Sequence, residues 1–285
     1  MRKIALGTVQ FGLDYGITNH SGQVAIDEVK DILDYAKTNN IDTLDTAARY
    51  GNSEQVLGGV GVNNYRIITK TTPLKNGVDG VIKGFHQSLD NLNIGQVDGL
   101  LIHNIDDVKD KRFGDLFHKV NELKEEGLIN KIGFSTYTPD QVDFLLENFD
   151  FDLIQVPFNV FDTRLIEGGQ LQALKKKNIE IHARSVFLQG VLLNFDNLPS
   201  YFLTWKKQLI EYQKMVENSG LSLLEYALNF SLNIQEIDKT LVGVYNLQQL
   251  QEIITASQKK IKTKLIPFSI NDINLLNPVH WNIDA

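Results

Sequence analysis

The sequence predicts a (β/α)8 barrel of the TIM type, and two observations carry that expectation. Short β-branched runs alternate with longer segments of helical periodicity from one end to the other, the order of a parallel sheet with crossover helices. Eight such runs can be counted, and eight favours a closed barrel over an open sheet. The length of 285 residues, with 42% hydrophobic and 22% charged residues, fits one barrel. No linker-like or low-complexity stretch interrupts the series, so residues 1–285 read as a single domain ending in a short C-terminal extension.

Taken in order, the strand candidates are Ile4 to Thr8, Thr43 to Thr46, Arg66 to Lys70, Gly99 to His103, Lys131 to Ser135, Leu153 to Pro157, Glu180 to Ser185 and Thr240 to Val244. The amphipathic stretches between them are Asp27 to Lys37, Val78 to Leu92, Phe113 to Glu126, Pro139 to Asn148, Leu165 to Lys177 and Leu247 to Ser257. Tyr201 to Ser219 and Ser222 to Ser231 form a helix pair before strand eight. Thr138-Pro139 and Asn246 are helix starts, Gly127 a stop, and Gly58-Gly59-Val60-Gly61 reads as a helix-ending turn, not a phosphate loop.

Composition narrows the chemistry. There is no cysteine, so disulfides, thiolate nucleophiles and cysteine-ligated metals are excluded. A formal net charge of −7 with scattered lysines gives no footprint for nucleic acid. His20, His86, His118 and His182 lie away from the strand-end set with no helical metal-ligand spacing, so no metal is expected. The apolar stretch after Met1-Arg2-Lys3 is too short for a signal segment and no window approaches a membrane span, so the expectation is a cytoplasmic protein without a membrane partner. A monomer is the default expectation.

In a barrel of this kind the side chains at the C-terminal ends of the strands surround the active site. Strand two ends in Asp45, with Tyr50 in the loop that follows; strand three ends in Lys70; strand four ends in His103. Taken singly each residue is more often a loop or packing residue, but their placement on three consecutive strands points to acid-base chemistry. A tyrosine, with an ordinary pKa of about 10, is a poor acid near neutrality; a lysine beside it stabilises the phenolate. A carboxylate would hold that lysine charged, and a histidine nitrogen could orient a carbonyl oxygen.

At these residues the chain resembles the aldo-keto reductase superfamily. The resemblance lies in Gly7-Thr8 with Phe11-Gly12, in the run Asp45-Thr46-Ala47-Ala48-Arg49-Tyr50-Gly51-Asn52-Ser53-Glu54, in Ile68-Thr69-Lys70 and in Leu101-Ile102-His103; Lys131 to Ser135, Gln155 and Val242-Gly243 extend it over nearly the whole chain. It implies an enzyme that interconverts a carbonyl and an alcohol with a nicotinamide dinucleotide, Tyr50 being the general acid or base, Lys70 its tuner, Asp45 the partner of Lys70, and His103 the group that orients the carbonyl. Ser135 and Gln155 would hold the nicotinamide carboxamide, and Gly7 and Thr8 would lie near the ribose. Ser185, Phe187 and Gly190 would approach the pyrophosphate, while Gly243, Tyr245, Asn246 and Glu252 would meet the adenosine end.

The chain departs from the family's pattern in places. Tyr245 and Ile253 stand where an arginine or lysine for a 2′-phosphate and an adenine-binding asparagine are common, leaving NADP(H) only slightly ahead of NAD(H); Lys239 or Lys259 could substitute. Thr136 replaces a frequent asparagine. Arg184 stands where many relatives place an aromatic ring against the nicotinamide. It would bind a cofactor phosphate or a substrate carboxylate, or else pair with Asp45 or Asp162. The expected substrate is a small carbonyl compound, a sugar or its derivative, in an open polar pocket built from Asn104, Asn159, Phe161 and the Trp281 region. Two other readings stay open: a dinucleotide-binding regulatory or redox-sensing subunit, and a redox-neutral epimerase.

Overall fold

In the computed structural model, which describes residues 3–19, 21–196, 198–262 and 264–283, eight parallel strands close into one barrel in sequence order. His20 lies outside these residues. The strands are β1 (Ile4–Gly7), β2 (Thr43–Asp45), β3 (Arg66–Lys70), β4 (Val97–Ile102), β5 (Ile129–Ser135), β6 (Leu153–Pro157), β7 (Glu180–Arg184) and β8 (Lys239–Gly243). Closure comes from pairing β1 with both β2 and β8, with Gly7 opposite Asp45 and Gly243. Each strand is within two residues of its sequence-predicted bounds.

Nine helices of seven or more residues surround this sheet among the described residues: α1 (Ile26–Thr38), α2 (Ser53–Val60), α3 (Val78–Leu92), α4 (Phe113–Glu125), α5 (Pro139–Asn148), α6 (Gln170–Lys176), α7 (Lys206–Asn218), α8 (Leu223–Leu232) and α9 (Leu247–Ser257). The caps explain several boundaries. Thr138 and Gln141 form a reciprocal capping box at α5, Ser222 and Glu225 do the same at α8, and the Asn246 side chain accepts from the Gln249 amide at α9.

Two differences from the sequence expectation have local causes. The helix expected over 165 to 177 is broken: one turn, Arg164–Glu167, stops at Gly168-Gly169, where Gly169 adopts a left-handed φ of 80°. The two-turn α2 was not expected, because its glycines lower helix propensity. Gly58 is needed there, since a Cβ would lie 2.1 Å from the Asn91 carbonyl oxygen at the end of α3.

Hydrophobic packing lies mainly between strands and helices, where Val29, Ile32, Val81, Phe85, Leu116 and Val120 are buried. Inside the barrel, Ile68, Leu101 and Leu153 form a separate fully buried layer. Glycines make room for it: a Cβ on Gly99 would lie 2.8 Å from Ile68 Cδ1, and one on Gly133 would strike the Leu153 carbonyl oxygen. This layer separates the two ends of the barrel, so polar groups above and below it face different surroundings.

Below it the N-terminal end is closed by ions. Arg66 bonds Asp98 at 2.7 Å and Glu180 at 3.1 Å, and Lys131 reaches Glu180 at 2.6 Å and Asp98 at 3.3 Å. The fully buried His182 bonds Glu180 at 2.9 Å. Burial opposes ionisation of Glu180, but the bonds from His182 and Lys131 outweigh it and hold the carboxyl well below the usual range. No described helix is long and apolar enough to cross a membrane.

Candidate active site

The opposite end gathers the four residues singled out from the strand ends. Lys70, at the last position of β3, is almost wholly buried; its Nζ donates to Asp45 Oδ1 at 2.5 Å and to the Thr46 carbonyl at 2.8 Å. Burial by itself would discharge the ammonium, but the Asp45 carboxylate and the Tyr50 hydroxyl outweigh it and hold the pKa above the ordinary lysine value. The same ammonium lies 4.9 Å from the centre of the Tyr50 ring, and that ring meets His103 edge-on at 6.1 Å between centroids. The tetrad is therefore one contiguous cluster.

His103 follows β4 directly. Burial, reinforced by Lys70, Arg49 and Arg184, lowers its pKa to about 3, so the imidazole is neutral through the physiological range. Its backbone amide is held by Thr71 Oγ1 at 3.2 Å, while Nδ1 is buried without a partner in the protein. Such an orphaned group is costly unless a ligand satisfies it.

Gln155 adds a contact that spans the barrel interior from β6 to β2. Its Nε2 donates to Asp45 Oδ2 at 2.6 Å, so both carboxylate oxygens are fixed, one by Lys70 and one by Gln155. The sequence assigned Gln155 to a nicotinamide carboxamide; in the structure its amide nitrogen is committed to Asp45. Thr8 Oγ1 reaches the Asp45 backbone carbonyl at 3.0 Å and ties β1 to the same point.

These groups form one end of a cleft of about 390 Å³. Among its walls are Gly7, Thr8, Asp45, Tyr50, His103, Ser135, Gln155, Arg184, Ser185, Phe187, Gly190, Gly243, Tyr245 and Glu252. The cleft thus runs from the tetrad across the mouth to the loop between β8 and α9. A Cβ on Gly243 would lie 2.7 Å from the end of the Gln10 side chain, which would have to move aside. After β7 the chain winds through left-handed conformations at Ser185 (φ 60°), Leu188 (φ 47°), Gln189 (φ 52°) and Gly190 (φ 96°). Three are not glycine, and strain of this kind, on the order of 1 kcal/mol each, is characteristic of ligand-holding loops.

Five expected residues lie elsewhere. The Asn246 side chain is spent on capping α9 and is not part of the cleft wall. Asn104 is exposed and caps the short turn Ile105–Lys109, its Nδ2 donating to Asp107 Oδ1 at 3.1 Å. Asn159 is buried and saturated: Nδ2 donates to the Ser185 carbonyl, and Oδ1 accepts from the amides of Phe161 and Asp162. Phe161 packs on Tyr212 and Phe268 beneath the C-terminal segment, whose Phe268 and Ile270 amides bond the Val160 and Phe161 carbonyls. The Trp281 region is spent on the same docking, its ring meeting Phe202. Asn159 therefore ties the loop after β6 to Ser185, Phe161 anchors the tail, and neither lines the cleft. In their place, Tyr15, Tyr137 and Gln189 stand in the wall near Tyr50. Tyr137, two residues beyond the end of β5, had the strand-end signal that could have found it.

Arg184 lies at the end of β7 over the Tyr137 ring, 4.3 Å from its centroid; Nη2 donates to the Thr136 carbonyl at 2.9 Å and Nη1 to Ser185 Oγ at 3.3 Å. The acidic partners suggested by the sequence are occupied, Asp45 by Lys70 and Asp162 by Arg164 at 2.8 Å.

The sequence profile of the Aldo/keto reductase family matches residues 3–267 of this barrel. The chain belongs to that family. An oxidoreductase of Leptosphaeria maculans is 28% identical over 204 residues, 67% of this chain and 61% of that protein. L-galactose dehydrogenase of Arabidopsis thaliana is 27% identical over 263 residues, covering 82% and 79%. The holo form of an aldo-keto reductase from Bacillus halodurans has the same fold, with a TM-score of 0.74 at 19% identity over 92% of this chain and 88% of that one.

Proposed function

We propose that the chain is an NAD(H)-dependent oxidoreductase that interconverts an alcohol and the carbonyl of a sugar or other small polar compound, with Tyr50 as general acid and base. One observation carries this reading: a tyrosine sits against a buried, charged Lys70–Asp45 pair in the wall of a cleft long enough to continue to Tyr245 and Glu252. A pure binding module needs no such pair beside a phenol.

The donor set fits a dinucleotide. Ser135 and the side-chain oxygen of Gln155, whose nitrogen stays on Asp45, would hold the carboxamide, the left-handed Ser185 to Gly190 turn the pyrophosphate, and Gly7, Thr8, Gly243, Tyr245 and Glu252 the sugar and adenine end. When bound, the nicotinamide would supply the two-electron donor and acceptor. The protein's own part is proton management. Tyr50 Oη gives its proton to the carbonyl oxygen as the alcohol forms and takes it back in the reverse direction. Lys70 stabilises the phenolate that is left, and the neutral His103 directs the oxygen toward Tyr50. Asp45, fixed on both oxygens, keeps the ammonium in place.

NAD(H) replaces NADP(H) as the favoured cofactor because, among the described residues, no cation lines the end of the cleft proposed for the adenosine. Its wall holds Tyr245, Gln249, Glu252 and Ile253. Lys259 is paired with Glu225 at 3.0 Å, and Lys239 bonds Asp42 at 2.6 Å from the other end of β8. A carboxylate suits a 2′-hydroxyl donor and repels a phosphate. The sugar part of the proposal has the support of the L-galactose dehydrogenase relative.

The test is turnover of a panel of sugars and small aldehydes, followed by oxidation of NADH. Tyr50→Phe should lower kcat/KM about 10²- to 10⁴-fold while leaving NADH affinity intact. Turnover unaffected by that substitution would overturn the role of Tyr50.

A further inference from the structure

We infer that the substrate of this site carries an oxyanion, a carboxylate or a phosphate, next to its carbonyl-bearing segment, and that Arg184 is the residue that receives it. The inference rests on the reading of the cleft as a carbonyl-alcohol site and names the class of compound it selects.

Three observations lead there. First, Arg184 is the one cation in the cleft wall among the described residues, and no described carboxylate pairs with it. Lys70, the other cation nearby, is spent on Asp45. A partly buried guanidinium without a counter-ion is unfavourable in the free protein and is relieved by an anionic ligand.

Second, the guanidinium is held in place before any ligand arrives. The Thr136 carbonyl takes one donor, Ser185 Oγ another, and the Tyr137 ring supports one face. A guanidinium has five N–H donors in a rigid fork, so three remain for a ligand, enough for a bidentate contact with a carboxylate or phosphate. Because the side chain is already fixed, little entropy is lost when it engages.

Third, the position is right for substrate. Arg184 and Arg49 both lie close enough to His103 for their charges to depress its ionisation, and Arg49 is exposed, so two positive charges flank the imidazole that would orient the carbonyl. The end proposed for the adenosine has the opposite character, with Glu252 and no cation among the described residues. An anionic group on the substrate is therefore drawn to the catalytic end and repelled from the other.

The experiment is calorimetric titration of the protein, alone and saturated with NADH, with three probes: oxamate for a carboxylate, inorganic phosphate, and oxamide as the neutral counterpart. Wild-type protein should bind oxamate or phosphate at least ten-fold more tightly than oxamide, and the tighter probe identifies which oxyanion is preferred. Arg184→Met should weaken that probe about ten- to a hundred-fold, and Arg184→Lys should recover part of the loss. Equal affinity for charged and neutral probes, or an Arg184→Met protein that binds the oxyanion as wild type does, would overturn the inference. So would a loss of NADH affinity larger than the loss of oxyanion affinity, since the guanidinium would then serve the cofactor. Failure of NADH to bind at all would instead strike the proposed function, and the titration of the protein alone would still decide the anion site.

Discussion

The two ends of the barrel use the same kinds of residue to opposite effect. At the N-terminal end Arg66, Lys131, Asp98 and Glu180 are joined in one network, and His182 is bonded to Glu180; among their side-chain nitrogens and oxygens only His182 Nδ1 is buried without a partner. At the C-terminal end Asp45 and Lys70 neutralise each other, but His103 Nδ1 and Thr136 Oγ1 are buried without partners, and Arg184 has no described carboxylate. At the first end every carboxylate and cation named is paired, and the one unmet atom is His182 Nδ1. At the second end His103 and Arg184 line the same cleft, and Thr136 lies beside its wall residues Ser135 and Tyr137. Charge satisfaction, more than charge itself, separates a closing plug from a working site.

That contrast can be broken by substitution. The largest effect is expected for Lys70→Met, which strands a buried carboxylate and should cost about 3–5 kcal/mol of stability as well as turnover. Pairing it with Asp45→Asn should restore much of the stability in denaturant unfolding and none of the turnover. If the double variant regains activity, the pair is structural and the assignment of the mouth fails.

Glu180→Gln tests the other end. It removes the carboxylate that Arg66, Lys131 and His182 share, and because the cluster is partly exposed the expected cost is about 2–3 kcal/mol. Affinity for NADH should be unchanged; a matching loss of cofactor binding would show that the two ends are not independent.

A pH dependence sharpens the comparison further. The folded pKa of His103, about 3, lies below its unfolded value of about 6.5. Above pH 6.5 the group is neutral in both states and contributes nothing; as pH falls below 6.5 the unfolded chain gains a proton that the folded chain refuses. Stability should therefore fall by about 2 kcal/mol at pH 5 from this residue alone, and His103→Gln should flatten that part of the profile. An unchanged profile in the variant would mean that His103 titrates near its ordinary value. Glu180 adds no loss at this pH beyond a small one, because its folded pKa is depressed and its contribution disappears only as pH falls further.

Much of this was legible in the sequence because it depends on strand ends. Asp45, Lys70, Arg184 and Ser135 end their strands, and Tyr50 and His103 follow closely, so alternation of strand and helix was sufficient to bring them together. What was not legible depends on contacts between distant segments. Gln155 reaches Asp45 across the barrel, a pairing that no spacing announces. Asn159 and Phe161 also follow a strand end, yet Asn159 is taken up by Ser185 and its own loop and Phe161 by the docking of Phe268 and Ile270. The left-handed turn at Leu188 and Gln189 is hidden because neither side chain favours that conformation. Asn104 and Asn246 illustrate a general ambiguity: an asparagine after a strand can serve a ligand or cap the next helix, and here both cap.

The central claim is that the cleft at the C-terminal end holds a nicotinamide dinucleotide. It is tested most directly by calorimetric titration of the purified protein with NADH and NADPH in turn. The account predicts one site for NADH and at least ten-fold weaker binding of NADPH, because the end of the cleft proposed for the adenosine is lined by Tyr245 and Glu252 and by no cation among the described residues. Tighter binding of NADPH would contradict the cofactor assignment, and binding of neither would contradict the claim itself.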